Sequence, residues 1–598
     1  MGAFKSAVIT KKGQALLAKV IAGNTNLKFT KVATSENNLT GDIAGLTGIG
    51  TIRQSEQVAS VVRQNTSNVK VSASFSNSSL KAGYYVRNIG LYATDPQDGE
   101  ILYSISVADE STATADWMPP FNGIGVSSLM VDLVTAVSNA SSVNVTVDPT
   151  ATATVAQVVE LQEQIEDVKT FVGYDDEDIY GVEVDFVNRK FTRIAGSEHF
   201  TAGVDFNNLM PWMRKRCIVT DAGVVLAYRG DTGYSETGKT TQAITVGETT
   251  YASGTNVQVM VEQPVFYTKV VPVKSKVATS GRGKQLTIAR YYVSATPKVG
   301  FKVNDAFKDT NGIIQDKIYL SAYEGCLWDT SANKYITDDA QVADFATDFL
   351  SSIANVKPVS GLTQQMTRPN ARKLSTNRGA GWSLHNIFAL AITQMLFLVE
   401  YASFDIQGKV GRGVADFTDD GSTNMALVTG ATAGIGNGSG IPSGGTDGHC
   451  SVTYRGEENL WGNIWTWLDG LNHYAKDATT DTGYVKGYGA MVDNTSDNYS
   501  MLDTDLIRGN GYLSAFGYNE EYPYLFLPTE RSGSSTLPIG DYVWNTDTNL
   551  GHRIARLGGP WNDGSRCGAF TVNLINTSSG RSRVIGGRLL YVPQSKIA

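Results

Sequence analysis

The chain has few residues suited to metal or thiol chemistry: five histidines and four cysteines in 598 residues. His199, His385, His449, His473 and His552 include no pair at zinc-site spacing, and no His-Glu-x-x-His occurs. His449 adjoins Cys450, but sequence neighbours rarely share a metal. Cys217, Cys326, Cys450 and Cys567 are far apart, which fits buried thiols better than ligands, nucleophiles or a disulfide framework. No EF-hand loop is present. A glycosidase carboxylate pair stays open, because its members meet only in three dimensions.

Three short motifs imitate sites. Residues 426–436 resemble the cofactor loop of short-chain dehydrogenases, Thr-Gly-x-x-x-Gly-x-Gly. That loop must open a helix whose amides hold a pyrophosphate. Here residues 437–445 are a poor helix start, and the Tyr-x-x-x-Lys pair of that family is absent. A surface loop is expected. Arg229-Gly230-Asp231 matches an integrin-read tripeptide but reads as a hairpin turn after Tyr228. Gly2 with Ser6 fits a myristoylation pattern weak enough to be chance.

Composition narrows the class. Hydrophobic residues make up 41% and charged residues 18%, below the ~25% charge of ordinary globular proteins. There are 61 Gly, 27 Tyr, 21 Phe and 9 Trp. So many aromatics exclude a disordered chain. A net charge of −8 argues against a dominant nucleic-acid footprint. The N-terminal residues lack a secretory-signal pattern, so the expectation is synthesis in the cytoplasm and exit by another route. Residues 387–399 are the most apolar stretch, too short for a membrane span, and are expected as a buried helix.

The elements that must position any site follow from periodicity. Thr10 caps an expected helix over 11–22, with Leu16, Leu17, Val20 and Ile21 apolar and Gly23-Asn24 as the stop. Strands are expected over 69–75, 84–92, 101–107 and 143–149, with a turn at 95–99. Val158, Leu161, Ile165, Val168 and Val172 follow the 3-4 spacing of a coiled-coil seam about two heptads long. Further strands are expected over 182–186, 224–228, 257–261 and 286–293, and helices over 382–402 and 459–472. The fold class is therefore a multidomain, β-rich α+β chain. Its expected parts are 1–150, a short coiled-coil oligomerisation linker over 151–175, a β-rich lead-in over 176–256 and a last domain over 257–598.

Residues 9–19, 27–33, 83–93, 99–103 and 119–123, with the region of Asp148, resemble in order and spacing the phage tail-collar fibre family. The resemblance implies an α+β module that attaches a fibre to a tail or baseplate, usually as a trimer. Residues 454–465, 556–564, 568–570 and 585–590 resemble the C-type-lectin-like fold shared by formylglycine-generating enzymes and the variable proteins of diversity-generating retroelements. Sulfatase-activating oxidases of that fold use two nearby cysteines in the last segment, where Cys567 stands alone. The related sulfoxide synthases need a histidine cluster. A binding role remains, with phage tropism determinants as the nearest functional analogue and no enzyme activity expected.

The resemblance and side-chain chemistry together point to Tyr542, Trp544, Asn545, Asn562, Asp563, Ser565 and Arg566 as a receptor-binding face. Tyr and Trp give large contact area at low entropy cost, and Asn and Ser give adaptable hydrogen bonds. In sugar-binding C-type lectins a Trp-Asn-Asp tripeptide like Trp561-Asn562-Asp563 supplies calcium ligands, but the accompanying disulfides are missing here. No cofactor is expected, and calcium is the one candidate ion. The expected partners are two further copies in a homotrimer, a baseplate protein, and a bacterial surface glycan or protein, with no nucleic acid and no membrane insertion. The expected location is a virion or tailocin tail. An enzyme acting on surface polysaccharide is the alternative.

Overall fold

The computed structural model describes residues 4–63, 67–109, 115–121, 128–137, 143–145, 173–174, 176–336, 338–339, 341–493 and 498–595. The chain is β-rich and forms two compact units, Met1–Gln164 and Ile165–Ala598. The five expected stalk residues, Val158, Leu161, Ile165, Val168 and Val172, lie outside the described residues.

In the first unit, helix α1 (Lys11–Ile21) starts where Thr10 accepts from the Gly13 amide at 3.0 Å. Leu16 and Val20 are buried, while Ile21 is exposed, so the apolar face is narrower than expected. A Cβ on Gly13 would lie 2.2 Å from the Tyr103 carbonyl oxygen, which is why the helix can press so close to its sheet. The strand Asn68–Ser76 pairs with Ser128–Ala136 over nine residues. The Asp95 carboxylate accepts from the Gln97 and Asp98 amides, and Gly99 takes φ 74°, forming the expected turn. The single strand expected over 84–92 is two. Tyr84–Val86 pairs with Asp116–Met118, and Asn88–Asp95 pairs with Gly99–Val107 in a different sheet.

The second unit contains three larger sheets. Ile179–Asp185 lies between Lys190–Ala195 and Lys284–Ser294, and Lys215–Val219 lies between Val225–Tyr228 and Gln258–Pro264. Residues from 176–256 therefore share sheets with later residues, and no boundary separates them at 256. The third sheet runs Ser500–Met501, Asp481–Val485, Trp465–Ala475, Gly551–Gly558, Gly568–Asn576, Tyr542–Trp544 and Gly511–Tyr512.

Helix α2 (Arg368–Thr376), unforeseen in the sequence, packs near the strand Trp382–Leu384. Helix α3 (Ile387–Tyr401) fills the core, buried from Ile387 to Glu400. Asn386 caps it by accepting from the Phe388 and Ala389 amides. The helix expected over 459–472 is absent. Asn459, Gly462 and Asn463 take φ of 50°, 74° and 60°, a left-handed conformation that breaks a helix, and Trp465–Ala475 continues as a strand.

A buried carboxyl group ties these layers together. The Glu324 carboxylate accepts from Asn463 at 2.6 Å and Asn459 at 3.2 Å. Burial raises it from the usual 4.5 to about 8, against the opposing pull of Arg588. Native protein thus holds a proton that the unfolded chain releases. This stability is complete below the ordinary carboxylate value and is lost as pH rises through about 8. Glu324→Gln is expected to flatten that decline, gaining on the order of a few kcal/mol at pH 9 relative to wild type. Urea midpoints between pH 5 and 9 measure it, and an unchanged slope would assign the decline to other groups.

Candidate binding face

The candidate residues lie at one edge of the third sheet. Tyr542–Trp544 runs antiparallel to Gly511–Tyr512, with Tyr542 opposite Tyr512, and parallel to Gly568–Asn576, with Trp544 opposite Asn573. Side chains two apart on a strand share a face, so Tyr542 and Trp544 project together. The same register row continues from Asn573 to Arg556 and on to Trp467, moving from the partly exposed edge into the core.

The rings form a short ladder. Tyr512 and Tyr542 meet edge-to-face with centroids 5.0 Å apart, and Tyr542 and Trp544 are 4.7 Å apart. The Arg566 guanidinium lies 4.9 Å from the centre of the Trp544 ring. The Tyr512 hydroxyl is 2.7 Å from Ser565 Oγ. Arg566 donates to the Asp563 carbonyl at 3.2 Å and to its carboxylate at 3.3 Å. Tyr512, Tyr542, Trp544, Asn562, Asp563, Ser565 and Arg566 are all partly exposed. Trp544 Nε1 is buried and has no hydrogen-bond partner among the described residues, so the exposed part of this side chain offers ring surface only.

Beneath this edge, the Arg556 guanidinium is 4.7 Å from the Trp465 ring, and burial pulls Arg556 down to about 9. Burial also raises the Asp563 carboxyl, against Arg566 and Arg556, which lower it. The edge thus offers aromatic area and the Arg566 guanidinium.

Five of the seven expected residues come together: Tyr542, Trp544, Asp563, Ser565 and Arg566. Asn562 neighbours them in sequence without a side-chain bond to the cluster. Asn545 does not belong to the face. It is fully buried, donating to Asp481 at 2.6 Å and the Ile507 carbonyl at 2.8 Å and accepting from Arg508. It follows Trp544 just past the end of the strand and is held inward by these bonds. Tyr512 was missed, since it arrives from a separate strand and only the pairing register reveals it.

The calcium reading finds little support in the geometry. The Asp563 carboxylate faces Arg566, Trp561 is fully buried, and no three His, Cys, Asp or Glu converge as a metal site among the described residues. These donors do not fit a Ca²⁺ shell of six to eight oxygens. Carboxylates that do come together clasp arginines. Asp469 and Asp493 bind Arg372, and Asp419 and Asp420 bind Arg583. Cys217, Cys326 and Cys567 are buried as expected, whereas Cys450 is half-buried. Burial pushes the Cys326 thiol up to about 12, far from a reactive thiolate.

The imitation motifs are resolved as well. The Gly430 and Thr432 amides donate to Glu458, both at 2.7 Å, so the dehydrogenase-like loop already encloses a carboxylate. It is less superficial than expected, with Thr429 and Thr432 buried. Arg229-Gly230-Asp231 is the expected turn, closed by the Asp231 amide on the Tyr228 carbonyl at 2.9 Å.

No protein-family model matches the chain, and no curated protein matches it in sequence. Among solved structures, a Major Tropism Determinant P3c variant is 12% identical, covering 67% of this chain and 77% of that one, with a TM-score of 0.22. A Major Tropism Determinant U1 variant is 13% identical over the same shares, also with a TM-score of 0.22. Likeness at that score carries no argument, so the functional reading rests on the geometry of the Tyr512–Tyr542–Trp544–Arg566 edge.

Proposed function

We propose that the chain is a receptor-binding protein of a phage tail or phage-tail-like particle. The single observation behind this reading is the partly exposed ladder of Tyr512, Tyr542 and Trp544 capped by Arg566. Aromatic and arginine side chains dominate binding energy at interfaces, and the rigidity of Tyr and Trp keeps the entropy cost low. In this reading unit two is a C-type-lectin-like receptor-binding domain, and the first 150 residues attach to a baseplate. Residues 151–175 trimerise the chain through Val158, Leu161, Ile165, Val168 and Val172, so that weak single sites gain avidity. The particle tail is its location.

Labelled full-length chain is expected to bind intact susceptible bacteria saturably and to release no soluble saccharide from their purified envelope. Release of saccharide would favour the enzyme reading, and absence of binding would reject the receptor-binding one. A light-scattering mass near three times the chain's 64.3 kDa tests the trimer, and a monomer mass would refute it.

A further inference from the structure

The second unit contains two adjoining cavities that share no residue with the aromatic edge. The first, of about 610 Å³, is lined by Lys302, Asp305, Lys308, Lys486, Tyr488 and Tyr522, among others. The second, of about 350 Å³, includes Trp382, Leu384, Met491 and Leu590 in its wall together with Arg372 and Asn386. Lys308, Gly487 and Tyr488 line both, so these residues form the partition between the chambers. Both volumes fall within the usual range for small-ligand sites.

The first chamber carries an excess of positive charge. Three ammonium groups line it, against the carboxylates of Asp305 and Glu521. Lys308 pairs with Asp305 at 2.7 Å. Lys302 donates only to main-chain carbonyls, of Glu520 at 2.6 Å and Glu521 at 3.2 Å. Lys486 has no side-chain partner among the described residues. The partition offers an aromatic surface, since Tyr488 is 37% exposed and its ring lies 5.5 Å from the Lys308 ammonium. A Cβ on Gly487 would sit 2.3 Å from that of Asp305, so the partition backbone is held tightly against the chamber wall.

These features select a ligand class. An ammonium without a side-chain partner, in a chamber that Tyr488 and Tyr522 also line, suits a carboxylate and its neighbouring hydroxyls. The apolar face of a pyranose ring stacks on an aromatic such as Tyr488. The second chamber mixes apolar walls with polar groups, which suits another sugar ring with an acyl substituent better than a bare alkyl chain. We propose that these chambers form a second binding site, separate from the aromatic edge, for a short acidic oligosaccharide whose carboxylate lies near Lys486 and Lys302 and whose ring packs on Tyr488. The site stands on its own walls and does not depend on the receptor-binding reading.

Calorimetric titration of the full chain with 3′-sialyllactose, digalacturonic acid and lactose tests it. At least one acidic sugar should bind, more weakly as salt rises, with lactose roughly tenfold or more weaker. Lys486→Glu and Tyr488→Ala should each cost roughly tenfold or more, and Lys486→Glu should leave the thermal midpoint unchanged, because the Lys486 side chain has no partner among the described residues. Tyr542→Ala should leave this affinity unchanged. No binding of either acidic sugar up to about 10 mM would overturn the proposal. Equal binding of lactose, indifference to both variants, or loss on Tyr542→Ala would overturn it too.

Discussion

Trp544→Ala is expected to weaken binding to susceptible cells by about 30- to 1000-fold, the cost of removing a hot-spot side chain. Trp544 lies between the Tyr542 ring and the Arg566 guanidinium, so its loss removes contact area and both neighbours' support. Tyr542→Ala and Arg566→Ala should each lose less, because the other two groups remain. Trp544 also packs against the core cluster of Trp465 and Trp467, so Trp544→Phe serves as the control that keeps packing. Binding isotherms on intact cells, with urea midpoints alongside, separate the two effects. Full binding by a folded Trp544→Ala protein would remove the edge from the account. Asn545→Ala, in contrast, should destabilise the fold by removing the group that Arg508 and Asp481 share.

The largest stability effect is expected at Glu400. Its carboxylate accepts from Arg455 at 2.6 and 2.7 Å, from Tyr454 at 2.7 Å and from the Gly203 amide at 3.1 Å. Arg455 also donates to the Trp212 carbonyl at 2.8 Å. One ion pair therefore joins helix α3, the turn at 454–456 and residues 203–212. Glu400→Ala leaves a buried guanidinium without its counter-ion, at a cost of about 3–5 kcal/mol. Urea unfolding of the second unit should show it, and a loss below about 1 kcal/mol would mean that water replaces the carboxylate. Glu400→Gln should lose less, since the amide oxygen still accepts.

Local signals carried much of the fold. Thr10 and Gly23 bracket α1, Asp95 and Gly99 mark their turn, and the apolar run beginning at Ile387 is the buried helix. The error at 459–472 has a physical origin. Trp461, Ile464, Trp465 and Leu468 recur at helical spacing, but a strand buried on both faces also reads as a dense apolar run. The left-handed Asn459 and Asn463 decide against a helix, and a sequence does not display φ. The unity of 176–256 with the rest of the second unit lies in pairings such as Ile179 with Ser294, which are distant in sequence.

The candidate face was legible in part for the same reason. The resemblance and side-chain chemistry singled out Tyr542 and Trp544, but side-chain type alone does not show that Asn545, just past the end of their strand, is buried. Tyr512 carries no local mark, because its role comes from sitting opposite Tyr542 across a strand pair.

Hydrogen–deuterium exchange of the full chain, free and bound to purified host envelope, tests the receptor-binding edge most directly. Binding there predicts slowed exchange in 511–513, 542–544 and 562–567, with the first unit unchanged. Protection confined to other segments, with these three exchanging as in the free chain, would contradict it.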